Sequence, residues 1–185
     1  MPGRYAMVLD TRRCVGCSAC VIACKTENRV PDGAFRDWVV TETRGRFPAL
    51  ALEIRSERCN HCEIAPCVTN CPTGASHYGE HGTVQVDRHK CTGCKACIVS
   101  CPYGARFVHP DGFIDKCSFC IHRSDRPEGW STACADVCPT ECITFGELGT
   151  PGSRVDLLLA TRDHKVIAPE AGTRPAVYFL TGESR

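Results

Sequence analysis

The sequence predicts an α+β protein of short helices and β-hairpins assembled around metal centres. Seventeen of its 185 residues are cysteine, and their spacing repeats along the chain. Between the repeats, apolar and polar residues alternate over only a few positions at a time, which suits short strands rather than long amphipathic helices.

Cysteine this dense marks either a disulfide scaffold or a metal protein. The count is odd, the start "MPGRYAMVLD" carries no export signal, and nearly every cysteine has another a few residues away. Those features favour chelation of shared centres over cross-linking. The apolar fraction of 43% includes the cysteines, so the conventional core is thin, and no apolar run reaches the 18 residues of a membrane-spanning helix. Formal net charge is +1 with no basic, aromatic-studded stripe, so nucleic acid is not an expected partner. Acidic residues are scattered singly, "GELGTPG" (146–152) has the wrong glycine spacing for a dinucleotide turn, and no nucleophile motif occurs. No catalytic residue is expected.

In chain order, the first cysteine group is "CVGCSACVIAC" (14–24). Its third and fourth cysteines, four apart, fit one helical turn and share a face. The stretch "FRDWVVTETRGRFPALALEIRSE" reads as two extended segments turning near Gly45. Group two, "CNHCEIAPCVTNC" (59–71), leads into "ASHYGEHGTVQVD", two short strands about Glu80 to Gly82. Group three, "CTGCKACIVSC" (91–101), leads into "ARFVHPDGFIDK", a hairpin turning at Pro110, Asp111 and Gly112. Group four is split into "CSFC" and "CADVC" (117–138). After it, "SRVDLLLATRD" reads as one short amphipathic helix. "KVIAPEAGTRPAVYFLTG" is too rich in proline and glycine for helix, and reads as a tail laid over the domain and ending in a strand.

Every group ends in C-x3-C, and groups two, three and four run on into Pro72, Pro102 and Pro139. Three cysteines within seven residues can wrap one side of a compact cluster, while the fourth, one helical turn on, reaches a second. That is the behaviour of C-x2-C-x2-C-x3-C-P in two-cluster iron–sulfur proteins. Four all-cysteine zinc sites are the alternative, but zinc ribbons pair two separated C-x2-C hooks without the third cysteine or the Cys-Pro step.

With "RYAMVLDTRRCVGCSACVIACKTEN", "CNHCEIAPCVTNCPTGAS", "CPYGARFVHPDGFIDKCSFCIHR" and "APEAGTRPAVYFL" in view, the chain resembles, nearly end to end, the four-cluster ferredoxin-like electron-transfer subunits of molybdopterin oxidoreductases, the polysulfide reductase B type above all. The resemblance implies two ferredoxin-like modules, 1–58 with 117–150 (groups one and four) and 59–116 (groups two and three), followed by a tail, 151–185. It implies four [4Fe-4S] clusters. Their ligands would be Cys14, Cys17, Cys20 and Cys138; Cys24, Cys117, Cys120 and Cys134; Cys71, Cys91, Cys94 and Cys97; and Cys59, Cys62, Cys67 and Cys101. The implied partners are a molybdopterin-containing catalytic subunit, next to the Cys14 site, and an integral, quinone-reactive membrane subunit at the other end, here expected at the Cys59 site.

Peripheral attachment to the cytoplasmic membrane follows from the same resemblance, at the outer face by co-export with a twin-arginine-targeted partner, a cytoplasm-facing complex being the alternative. The iron–sulfur subunit of a hydrogenase or formate dehydrogenase complex is the second functional reading. Cys142 falls outside the four sets and is expected to be a small apolar residue beside a cluster. His61 and His122 lie near cysteines but are not needed as ligands. Arg13, Lys25, Arg58, Lys90, Lys95 and Lys116 flank cysteines; about half are expected to be ordinary surface charge, and the others to offset cluster charge.

Overall fold

The structure, a computed structural model, describes residues 3–184. In chain order it contains β1 (Arg4–Asp10), α1 (Ala19–Asn28), β2 (Asp37–Arg46), β3 (Ala49–Arg58), α2 (Pro66–Thr69), β4 (Ser76–Tyr78), β5 (Val84–Val86), α3 (Ala96–Val99), β6 (Phe107–Val108), β7 (Ile114–Asp115), α4 (Ala133–Asp136), β8 (Ile143–Leu148), α5 (Arg154–Thr161), β9 (Arg162–Lys165) and β10 (Val177–Ser184). Three single 3₁₀ turns complete it.

The framework is a four-stranded sheet ordered β8-β1-β10-β9. In β1, Ala6, Met7, Val8 and Leu9 are all buried, because both faces of the strand are covered. An inner strand of this kind reads as a continuous apolar run and carries no alternation, which is why the sequence does not announce it. β1 runs antiparallel to β8 and parallel to β10. The last residues therefore differ from the expected tail. They do end in a strand, but β10 lies inside the sheet between β1 and β9, with Val177, Phe179 and Leu180 buried.

The expected helix after residue 153 is α5, whose first turn is capped by Ser153 Oγ accepting from the Asp156 N–H at 3.0 Å. It packs Val155, Leu158 and Leu159 onto the sheet. All three expected hairpins form: β2 with β3, β4 with β5, and β6 with β7. The β2–β3 ribbon is deeply buried only at its inner end, at Asp37, Ser56 and Arg58, while Phe47, Leu50 and Leu52 are exposed at its outer end.

The four short helices α1, α2, α3 and α4 carry the third cysteine of each group, Cys20, Cys67, Cys97 and Cys134, all buried. A main core contains the sheet, α1, α5 and Phe119. A smaller one consists of Cys62, Ala65, Cys67, Val84, Cys97 and Ile114. Side-chain clamps hold the elements that carry the thiols. Arg123 donates to Glu27 through Nε at 2.6 Å and also through Nη2, and to Asp136 at 2.8 Å, tying α1 to α4. Arg36 grips Asp115 with two bonds of 2.9 and 2.7 Å and reaches Asn28 at 2.8 Å.

The bonds from Arg123, and then from His122, hold the Glu27 carboxyl down at about 2, from an ordinary 4.5. A carboxylate whose folded pKa is depressed contributes stability above its unfolded pKa and loses it as pH falls through the folded value. Glu27→Gln should therefore lower the melting temperature by a few degrees at pH 7, and the gap between variant and parent should close between about pH 4.5 and about pH 2. Thermal scans across that window check this; a gap independent of pH would mean the clamp is not ionic.

Candidate metal centres

All 17 cysteines are free thiols, ten of them buried. Among the described residues, no three His, Cys, Asp or Glu side chains are placed to share one metal ion. The thiols stand around spaces instead. One cavity is lined by Cys14, Cys17, Cys20, Cys138 and Cys142. A second is lined by Cys71, Cys91, Cys94 and Cys97, with Arg106 on its wall. Cys17 and Cys94 are exposed at these two cavities.

The remaining eight thiols of the four sets line neither cavity. Burial, then the neighbouring Cys134, pushes Cys24 up to about 12, and Cys120 adds to it. Burial followed by Cys24 and Cys134 raises Cys117 well above its ordinary value. Cys62 is pushed up to about 11 by burial, with Cys59 and Cys67 contributing, and Cys101 is raised by burial and by the same two thiols. Cys59 also contributes to the rise at Cys117.

The backbone explains how four groups of differing spacing build similar loops. The residue before each second cysteine has a left-handed conformation: Gly16 (φ 69°), His61 (φ 43°), Gly93 (φ 68°) and Phe119 (φ 54°). Glycine adopts this freely. His61 and Phe119 do not, and each non-glycine residue held there costs about 1–3 kcal/mol. Both are buried and stack on each other, with ring centroids 3.7 Å apart and planes at 17°. His61 Nδ1 accepts from the Val84 N–H at 3.1 Å. Burial, with Lys116 and Arg106 next, holds its pKa well below the usual value, so this ring is neutral. His122 is instead a surface partner of Glu27 at 2.7 Å.

The loops turn N–H groups toward sulfur. Ser76 donates to Cys71 at 3.3 Å, Cys142 to Cys138 at 3.3 Å, Ile114 to Cys91 at 3.4 Å and Phe119 to Cys117 at 3.5 Å. Thr73 and Thr140 repeat one another, each hydroxyl 3.7 Å from the sulfur of the cysteine two residues earlier. Against a burial effect of opposite sign, these donors hold Cys71 and Cys138 below the ordinary thiol value. Cys142 Sγ lies 3.5 Å from Cys138 Sγ, on the wall of the first cavity.

Three cations are buried among the thiols. Arg58 Nη1 donates to Cys134 Sγ at 3.0 Å, and its Nη2 reaches Asp37 and Ser56. Arg106 Nη2 donates to Cys67 Sγ at 2.9 Å and to Ser76 Oγ at 2.8 Å. Lys116 Nζ is bound by the Val84 and Cys117 carbonyls. Of the six basic residues flanking cysteines in the sequence, only Arg58 and Lys116 are buried. Lys90 pairs with Asp87 at the surface, Arg13 faces Glu141, and Lys25 bonds the Pro31 and Ala34 carbonyls. Arg106 is the residue that adjacency to a cysteine misses. Its signal lies in the repeat, since "CPYGAR" (101–106) matches "CPTGAS" (71–76) and sets Arg106 opposite Ser76.

This donor set fits iron–sulfur clusters. Nε and Nη1 of Arg106 and Nε of Arg58 are buried without a hydrogen-bond partner, and a buried donor left without an acceptor is unfavourable. Cluster sulfur supplies the anionic acceptors that such groups need.

Comparison with known proteins agrees with the chemistry. Residues 50–148 and, separately, 13–75 match families described as 4Fe-4S dicluster domains. The chain is 40% identical over 190 residues to the NrfC homolog of Haemophilus influenzae, an alignment covering 100% of this chain and 84% of that one. It is 41% identical over 182 residues to the B subunit of tetrathionate reductase from Salmonella typhimurium, covering 96% and 72% of the two chains. With the B polypeptide of polysulfide reductase from Wolinella succinogenes it shares 37% over 187 residues, covering 97% and 95%. The protein belongs to the 4Fe-4S dicluster family, and its role is that of an iron–sulfur electron-transfer subunit, not a catalytic one.

Solvent contact and metal protection make opposite forecasts for Cys17 and Cys94. In the loaded protein both should resist iodoacetamide despite their exposure. After chelation of the metal they should be alkylated first, ahead of buried Cys117 and Cys134. Peptide mass spectrometry after timed labelling measures this order.

Proposed function

We propose, with membership of the 4Fe-4S dicluster family as the premise, that the chain relays electrons through four [4Fe-4S] clusters between a molybdopterin-containing catalytic subunit and a quinone-reactive membrane subunit. The observation that carries this reading is that two separate cavities are each lined by the four cysteines of one expected set, drawn from two different groups. Cys14, Cys17, Cys20 and Cys138 would hold one cluster. Cys24, Cys117, Cys120 and Cys134 would hold its neighbour, making one ferredoxin-like module from residues 1–58 and 117–150. In the second module, residues 59–116, Cys59, Cys62, Cys67 and Cys101 would hold the inner cluster and Cys71, Cys91, Cys94 and Cys97 the outer one.

This order revises the sequence expectation about the far terminus. Cys59 is buried and acts directly on Cys117, whereas Cys94 is exposed. The relay therefore ends at the Cys14 set on one side and the Cys94 set on the other, with the Cys59 set inside.

When bound, the clusters supply one-electron redox chemistry, and the protein supplies everything else. The cysteines fix the sites. The N–H donors and buried arginines stabilise charge at the sulfurs, and the sheet and the His61–Phe119 stack exclude water from the inner pair. Binding requires thiolates, so it must displace protons that burial otherwise holds on Cys24 and Cys62. No helix among the described residues is long and apolar enough to cross a membrane. Attachment there would run through a partner, and the partner's export would decide which face is occupied.

Anaerobically purified protein should contain about 16 iron and about 16 sulfide per chain, four of each for four sets. Zinc in their place, or about 12 iron, would sink the assignment. Cys142→Ala should keep the full complement, while Cys138→Ala should damage the cluster shared by groups one and four.

The two termini should also be functionally distinct. In complexes that retain both partners, Cys14→Ser should block reduction of the remaining clusters from the catalytic side. Cys94→Ser should leave them reducible from that side and impair exchange with quinol. EPR of cluster reduction, driven from each side in turn, reads the difference, and the reverse pattern would invert the order.

A further inference from the structure

The two buried arginines make equivalent contacts from different places in the repeat. Arg58 donates to the third cysteine of group four, Cys134, and to Ser56; Arg106 donates to the third cysteine of group two, Cys67, and to Ser76. Each also reaches toward an outer site: Ser56 accepts from Cys20 Sγ at 3.5 Å, and Arg106 lines the cavity of Cys71, Cys91, Cys94 and Cys97. They differ in one respect. Arg58 is paired with the buried Asp37 carboxylate at 3.2 Å, which Ser56 also contacts at 2.5 Å. Among the described residues, Arg106 has no carboxylate in ion-pair range, and two of its three side-chain nitrogens lack hydrogen-bond partners.

An arginine stays ionised wherever it is placed, and a charge in a dry interior acts over several ångströms with little screening. A positive charge beside an iron–sulfur site favours its more negative, reduced form and so raises its potential. We propose that Arg106, uncompensated, raises the midpoint potential of the Cys59, Cys62, Cys67 and Cys101 site, while Asp37 cancels the same effect of Arg58 at the Cys24, Cys117, Cys120 and Cys134 site. The two inner stations of the relay are thereby set unequal, and an electron arriving at the inner pair is held on the Arg106 side. Both arginines are positioning residues that act through the ligand sulfurs. The inference rests on the four-site reading, and counting iron separates failure of that reading from failure of this one.

The test is an EPR-monitored redox titration of the assembled complex, with iron and sulfide measured in each variant. Arg106→Gln should lower one midpoint potential by at least about 59 mV, equivalent to a tenfold change in a one-electron equilibrium. Asp37→Asn should raise a different one by as much, and Arg106→Lys, which keeps the charge, should shift less than either. Cys67→Ser and Cys134→Ser identify which signal belongs to which site. If Arg106→Gln sheds its iron, Ser76→Asp takes its place, adding the missing carboxylate beside an intact arginine, with the same fall expected. Unmoved potentials in variants that keep their iron, or a fall on Asp37→Asn, would overturn the proposal. Wild-type protein with a different iron count would instead refute the four-site reading.

Discussion

Thiols from distant segments must meet in an interior that has too little hydrocarbon to hold itself together, and most of this architecture follows from that constraint. Among the described residues, ten of the 29 buried apolar side chains are cysteines. The smaller core has only Ala65, Val84 and Ile114 beside its three cysteines. Removing a proton from each sulfur and binding it to metal turns those positions from weak packing contacts into strong cross-links, so ligation is folding energy. The sheet is the one part with a conventional core, and by placing β1 beside β10 it joins the two ends of the polypeptide. The salt-bridge clamps at Glu27–Arg123–Asp136 and Arg36–Asp115 then fix the ligand-bearing segments to each other.

The same constraint acts on the backbone. A tight loop that presents two cysteines to one side needs a left-handed residue between them, and groups one and three meet that need with glycine at 16 and 93. Groups two and four place His61 and Phe119 there instead, and accept strain. What offsets it is visible in the packing. The two rings are fully buried and stack face to face, where two glycines would leave a hole. The strained loops are thus the buried ones and the glycine loops carry the exposed Cys17 and Cys94, so loop chemistry and depth are matched.

Much of this was legible in the sequence because ligand spacing is a local property. The groups, their short helices, the three hairpins and α5 all follow from residues within a few positions of one another. What the sequence hid is non-local. β1 carries no alternation because both its faces are covered, and the proline- and glycine-rich approach to Val177 conceals an inner strand that only pairing with β1 defines. The proposed move of the relay's far end from the Cys59 set to the Cys94 set likewise turns on burial, which is non-local. Sequence order puts group two at the edge of its module, while its first cysteine is buried and contributes to the raised Cys117 thiol, 58 residues away in sequence. Arg106 and Asp37 escaped because neither adjoins a cysteine, although alignment of the repeats sets Arg106 beside Ser76.

Asp37 links the fold to the electrostatics. It sits at the inner end of the β2–β3 ribbon, paired across the strands with Arg58, and both side chains are almost wholly buried. A hairpin in this place carries an acid and a base to the same depth from positions 21 residues apart. Group three has only the two-residue strands β6 and β7 after it, and Arg106 just precedes them. That short hairpin sends no carboxylate to the guanidinium: Asp115, its nearest acid in the pairing, faces Phe107 and is taken by Arg36. The inequality of the two arginines is therefore a consequence of hairpin length as much as of residue choice. A long ribbon carries its own counter-ion inward, while a short one leaves its cation to the sulfurs.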